Sequence, residues 1–180
     1  MSKKKMRFPQ SKFVRELMEC LKVIMIAVAV TFILNKALVA NAQVVSGSME
    51  ETVMTGSWIL VNRQAYLING PERGDIVLFQ SPEKNNKEYL KRIIALPGET
   101  VEGRDGSVYV DGAKIKESYI KEPATEDFGP FRVPTDCYFM MGDNRNDSWD
   151  SRYWEIKYVN YDAIIGKAEL EYYPEIKSLH

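Results

Sequence analysis

Histidine is almost absent from this sequence: among 180 residues there is one, His180, at the last position. The body of the fold therefore has no histidine to act as a general base, which excludes the Ser-His-Asp arrangement. Cysteine is nearly as scarce. Cys20 borders an apolar run and Cys137 falls in an expected strand, too few and too badly placed for a disulfide framework or a zinc site. No metal or other cofactor is expected. An excess of one charge is also missing: 24 Lys and Arg stand against 25 Asp and Glu. With no long basic face, no nucleic-acid partner is expected. At 45% apolar and 27% charged, the composition is that of a globular protein.

Nor is there an uninterrupted apolar run of membrane length. Val23 to Leu34 is uncharged, Asn35-Lys36 interrupts it, and Ala37 to Ala40 continues, whereas a spanning helix needs about 20 residues. Lys3, Lys4, Lys5, Arg7, Lys12, Arg15 and Lys22 precede or flank this segment, against Glu16 and Glu19. Three readings stay open. As a spanning helix, it would keep its N-terminus cytoplasmic and translocate the remainder. As a removable signal peptide, it would use Ala40-Asn41-Ala42 as its small-x-small cleavage site. A buried core helix is the third, although no polar stripe recurs at helical spacing. The first two both export the rest of the chain.

Beyond residue 44 the pattern is that of strands. Ser57–Asn62, Asp75–Gln80, Lys87–Leu96, Asp136–Met141 and Ala163–Tyr173 read as β. Asp105-Gly106 and Asp111-Gly112 mark consecutive hairpins, and Pro123 to Pro134 reads as an irregular loop. The expected fold class is mainly β: an N-terminal transmembrane helix, then an antiparallel catalytic sheet with a small inserted β-subdomain. The expected boundaries are a basic cytoplasmic segment at 1–19 and an anchor at 20–43. The catalytic domain takes 44–100 and 136–180, and an inserted hairpin subdomain takes 101–135.

Three stretches carry candidate chemistry. In "EYLKRIIAL" the face bearing Lys91 also bears Tyr89, Ile93 and Ala95, while Leu90, Arg92 and Ile94 point the other way. A strand lysine is ordinarily a solvated charge or an edge gatekeeper. A buried one has its pKa lowered and can accept a proton. Ser48, in "SGSMEET", is the matching nucleophile candidate, and Gly47 permits a tight turn or a close approach. An ordinary Ser-Gly-Ser turn is the alternative. "MGDNRNDSWDSR" reads either as a charged surface loop or as a polar network behind a catalytic amine.

Taken together, "SGSMEET", "RGDIVLF", "YLKRIIALPGE" and "MGDNRNDSWDSR", in that order behind a basic apolar segment, resemble the bacterial type I signal peptidases, membrane-anchored serine proteases with a Ser/Lys dyad. The resemblance implies Ser48 as nucleophile and Lys91 as general base. It implies an oxyanion hole from the Ser48 amide and the Ser46 hydroxyl. Ser148 would hydrogen-bond and orient Lys91, and Asp143, Arg145, Asp150 and Arg152 would form a polar network. Val44, Met49, Leu78 and Leu90 would line shallow apolar pockets for small side chains. The implied substrates are signal-peptide-bearing preproteins, cleaved after Ala-x-Ala sites close to the bilayer and the translocation machinery. The resemblance also favours a retained single-pass anchor, with the catalytic domain on the extracytoplasmic side. Two departures stand out: Glu51 replaces the usual proline, and Asn146-Asp147 reverses the common order. A non-catalytic, membrane-tethered β-domain that binds exported peptides is one alternative function. A specialised peptidase for a few surface subunits is the other.

Overall fold

The computed structural model describes residues 12–83 and 87–179. The expectations for residues 1–11 and for His180 fall outside that range. The chain divides into two compact units, Met1–Ala37 and Leu38–His180. Helix α1 spans Lys12–Leu38. Val23, Ile24, Met25, Ile26, Val28, Val30, Phe32 and Ile33 are all exposed along it. Consecutive apolar positions at about 100° per residue surround the helix instead of forming one stripe. Among the described residues no helix is long and apolar enough to cross a membrane.

The segment expected as an anchor over 20–43 needs correction at its end, because Val39–Gln43 is strand β1. Ala40 and Ala42 alternate with Asn41, and both alanines pack against the core of the sheet, a period of two that suits a strand and not a helix. The remaining strands are β2 (Trp58–Asn62), β3 (Ile76–Gln80), β4 (Glu88–Ala95), β5 (Thr100–Arg104), β6 (Ser107–Val110) and β7 (Ala113–Lys114), then β8 (Phe128–Arg132), β9 (Cys137–Met141), β10 (Val159–Asn160), β11 (Ile164–Tyr173) and β12 (Lys177–Ser178). The main sheet runs β1-β2-β11-β3-β4-β9-β10, with β12 on β11, and every pairing in it is antiparallel.

The insertion is a four-stranded sheet, β7-β6-β5-β8, and so more than a hairpin. Its two turns are the Asp-Gly pairs, with Asp105, Gly106, Asp111 and Gly112 all at positive φ, as two-residue hairpin turns of type I′ require. The stretch expected as a loop from Pro123 to Pro134 contains β8. Pro130 is tolerated there because β8 pairs only with β5 and forms an edge of the small sheet. Val101, Val108, Val110 and Val133 share one core with Ile94, Ala95, Phe139 and Met141 of the main sheet.

The centre of the main sheet is covered on both faces. In β3, Ile76 and Leu78 belong to one apolar cluster, while Val77 and Phe79 belong to another with Ile93, Met140 and Trp154. β4 lies between β3 and β9, so side chains on both of its faces leave water. That is why Lys91 and Arg92, neighbours on opposite faces, are 4% and 2% exposed.

Candidate active site

Ser48 lies in a short 3-10 turn, Gly47–Met49, entered from an extended Ser46. Lys91 Nζ donates a hydrogen bond to Ser48 Oγ, and Ser46 Oγ lies 3.3 Å from the same oxygen. Ser48 is 6% exposed. The turn is held from the far end of the chain. Asn144 donates its backbone N–H to the Ser48 carbonyl at 3.1 Å and its side-chain amide to the Gly47 carbonyl at 3.0 Å. This approach requires glycine at 142, since a Cβ there would collide with both the Ser48 carbonyl oxygen and Ser148 Oγ.

Three buried arginines surround the pair, and each is matched to one carboxylate. Arg92 forms a two-pronged bond to Asp143, Nε at 2.9 Å and a terminal nitrogen at 2.6 Å, and Thr52 Oγ1 donates to the same carboxylate. Arg145 forks onto Glu117 at 2.5 and 3.0 Å. Arg152 binds both oxygens of Asp150 at 2.8 Å. Two-pronged contacts of this kind satisfy both charges with good geometry. The Tyr119 ring lies 4.0 Å from the Arg92 guanidinium and 5.9 Å from that of Arg145. Burial first, and Glu117 second, push the Tyr119 hydroxyl pKa up, keeping it neutral.

With the arginines holding these carboxylates, Lys91 donates its hydrogen bond to a neutral hydroxyl. Burial pulls the Lys91 pKa from 10.5 down to about 8. Asp150 works against that shift, Arg152 adds to it, and Asp143 and Asp147 oppose it. Desolvation favouring a neutral amine is the physical route to a lysine that can take up a proton near neutral pH.

The expected network residues Asp143, Arg145, Asp150 and Arg152 thus gather around the pair. Ser148 is placed differently from its implied role. It donates to Asp150 Oδ2 at 2.7 Å, while the Lys91 bond goes to Ser48. The Asp150 carboxylate also takes the Gly142 N–H at 3.0 Å, so it ties Ser148 to the end of β9. A cavity of about 380 Å³ beside the pair is lined by Val44, Leu78 and Leu90, with Ala42, Ile59, Ser46 and Lys91. Met49 is not in that lining. It is 1% exposed and packs in the core with Val53 and Ile59, because the 3-10 turn that presents Ser48 directs the next side chain inward. Glu51 is paired with Lys121 at 3.3 Å at the surface and has φ 78. Proline is confined to φ near −65° and could not take up that backbone conformation.

Arg92, Asn144, Thr52 and Glu117 were not singled out from sequence. The one local signal was Arg92 itself, an arginine inside a strongly apolar strand, which calls for a buried carboxylate partner.

A nucleophilic hydroxyl, a desolvated amine bonded to it, a second hydroxyl nearby and an apolar cavity alongside can together perform acyl transfer without metal or histidine. Residues 17–173 match the family described as signal peptidase, peptidase S26, which places the chain in a class of peptidases. It is 35% identical over 172 residues to "Signal peptidase I" of Leptolyngbya laminosa, covering 92% of this chain and 84% of that one. It is 38% identical over 145 residues to "Probable signal peptidase I-2" of Synechocystis sp., covering 77% of this chain and 66% of that protein. A crystal structure of a signal peptidase I from Enterococcus faecalis V583 aligns with TM-score 0.49 and 37% identity, over 56% of this chain and 97% of that one. The chain belongs to the signal peptidase, peptidase S26 family and is an enzyme of the signal peptidase I type.

Proposed function

We propose that Ser48 and Lys91 form the catalytic dyad of an endopeptidase that removes signal peptides from exported preproteins at small-x-small sites. The observation that carries this reading is the buried Lys91 amine bonded to Ser48 Oγ with its pKa drawn to about 8. Neutral Lys91 takes the Ser48 proton as Oγ attacks the scissile carbonyl. The Ser48 N–H and the Ser46 hydroxyl hold the oxyanion, where a single donor is typically worth about 3 kcal/mol. The Lys91 ammonium then protonates the leaving amine, and neutral again it activates water to release the acyl-enzyme. The cavity beside Val44, Leu78 and Leu90 takes the small side chains before the cut. Asp143, Arg145, Asp150 and Arg152 keep the loop carrying Asn144 against the Ser48 turn.

The pH dependence tests the dyad. Only neutral Lys91 is a base, so kcat/KM on an Ala-x-Ala preprotein is expected to rise about tenfold per pH unit below about 8 and level off above it. Ser48→Ala should be inactive throughout. A rate independent of pH between 6 and 8 would overturn the assignment.

The second part of the proposal concerns the membrane. α1 carries apolar side chains on all sides and basic residues precede it, which favours a single-pass anchor with the N-terminus cytoplasmic and residues 44–180 outside. The uncharged run from Val23 to Asn35 rises only ~20 Å, so a span has to draw in polar residues at its ends. In sealed inverted vesicles the catalytic domain is expected to resist added protease. Its digestion there would reverse the topology.

A further inference from the structure

Among the described residues, Lys91 lines two cavities. The larger is the apolar one already described. The smaller, about 200 Å³, is lined by Ser46, Gly47, Ser48, Tyr89, Lys91, Asp147 and Trp149, and it shares Ser46, Tyr89 and Lys91 with the larger. For a peptide with its scissile carbonyl at Ser48 Oγ and its small side chains in the apolar cavity, the smaller cavity is the adjoining space open to the residue past the cut. We propose that Asp147 and Trp149 form a subsite for the first residue after the cleaved bond and favour a cationic side chain there. This rests on the dyad reading above.

The walls have the chemistry of a cation site. Asp147 is exposed, and among the described residues its carboxylate has no hydrogen-bond or ion-pair partner. It converges with Glu50 over Gly47: a Cβ on Gly47 would lie 3.4 Å from Asp147 Oδ2 and 3.2 Å from Glu50 Oε1. Glu50 is itself fixed by Thr55 Oγ1 at 2.8 Å. Trp149 is held in place, its ring stacked on Tyr153 at 5.6 Å and 13° and its Nε1–H donating to Glu83 at 3.2 Å. An immobilised aromatic beside a free carboxylate attracts lysine or arginine both through the ring and through the charge. Lys91 is the one cation in the lining, and it is uncharged when it serves as base. Asp147 is also half of the reversed Asn146-Asp147 pair, and its neighbour is fully engaged elsewhere: the Asn146 amide donates to Glu122 at 2.9 Å and its oxygen accepts from the Thr125 N–H at 3.0 Å. The reversal therefore leaves the carboxylate, and not the amide, facing the nucleophile.

The test uses the full chain in detergent at low salt, with three preproteins that differ only in lysine, alanine or aspartate directly after an Ala-x-Ala site. The lysine substrate is expected to exceed the aspartate substrate in kcat/KM about fivefold, the scale of an exposed charge contact. Asp147→Asn should bring the ratio within about twofold, and Asp147→Glu should retain it. Because the Asp147 carboxylate also acts on Lys91, the Asp147→Asn variant would move the pH profile of all three substrates together, which leaves the ratio as the diagnostic. Equal rates on lysine and aspartate substrates, or a ratio unchanged by Asp147→Asn, would overturn the subsite while leaving the dyad intact. Failure to cleave any of the three would overturn the dyad reading and the subsite with it.

Discussion

Lys91→Met is expected to lower kcat/KM on an Ala-x-Ala preprotein by at least about a thousandfold, the scale of a lost general base, without loss of stability at pH 7. The two halves have one cause. The Lys91 pKa is about 8 in the folded protein against 10.5 as a free side chain, so the unfolded chain holds the proton more tightly. Below pH 8 the ammonium is charged in both states, and the folded state carries its full desolvation cost, about 3 kcal/mol for a shift of this size. Between pH 8 and 10.5 the folded protein releases the proton first and the cost fades. Lys91 therefore contributes stability that rises with pH across that window. Cys137, Tyr66 and Tyr119, whose pKa values burial raises, contribute a fall that both proteins share. Methionine has no such proton and shares every other titrating group, so the difference between the two curves isolates Lys91: the methionine variant's advantage should be greatest below pH 8 and shrink towards pH 10.5. Denaturant melts of both proteins from pH 6 to 11 measure this. A methionine variant less stable than wild type by about 1 kcal/mol or more at pH 7 would show that Lys91 is a structural cation.

Asp143→Ala is expected to have the largest effect on folding. Removing this carboxylate leaves the guanidinium of the buried Arg92 without its counter-charge, and an orphaned buried charge typically costs about 3–5 kcal/mol. It also removes the acceptor of Thr52, four residues beyond Ser48. The contrast is Glu51→Gln, which breaks the exposed pair with Lys121 and should cost less than about 1 kcal/mol. Urea titration of the two variants compares them directly. Equal losses would mean that burial of the Arg92–Asp143 pair is not what makes it matter. Replacing Arg92 and Asp143 together by apolar residues of similar size should recover much of the stability, because the cost lies in the unpaired charge.

Much of this architecture is legible in the sequence. The five strands expected from alternation and turn residues begin and end within a residue of those positions, and the Asp-Gly pairs fall at the two tight turns of the insertion. The helix–strand boundary at residue 38 was obscured because Ala-Asn-Ala suits a signal cleavage site, a helix end and a strand alike. Only pairing with β2, at Ala40 with Val61 and Ala42 with Ile59, decides for the strand. β8 was hidden by Pro130, whose cost disappears at an unpaired edge.

The site divides in the same way. Lys91 is marked by its apolar neighbours, and the confinement of histidine to the last position narrows the choice of base. The partners of the arginines are invisible locally, since Glu117 reaches Arg145 from 28 residues away and Asp143 reaches Arg92 from 51. Ser148 and Met49 take positions set by the bond of Ser148 to Asp150 and by the inward turn at Ser48, and no pattern in a single strand encodes either.

The hold of Asn144 on the Gly47 and Ser48 carbonyls bears on when this chain becomes active during its own synthesis. A nascent chain that has emerged only as far as β9 already contains Ser48 and Lys91. It still lacks Asn144 to fix the turn and lacks Asp150 and Arg152 to fix the loop that bears Asn144. The Ser48 turn is therefore fixed only by the segment made after β9, and β11, which joins β2 to β3 in the sheet, is made later still.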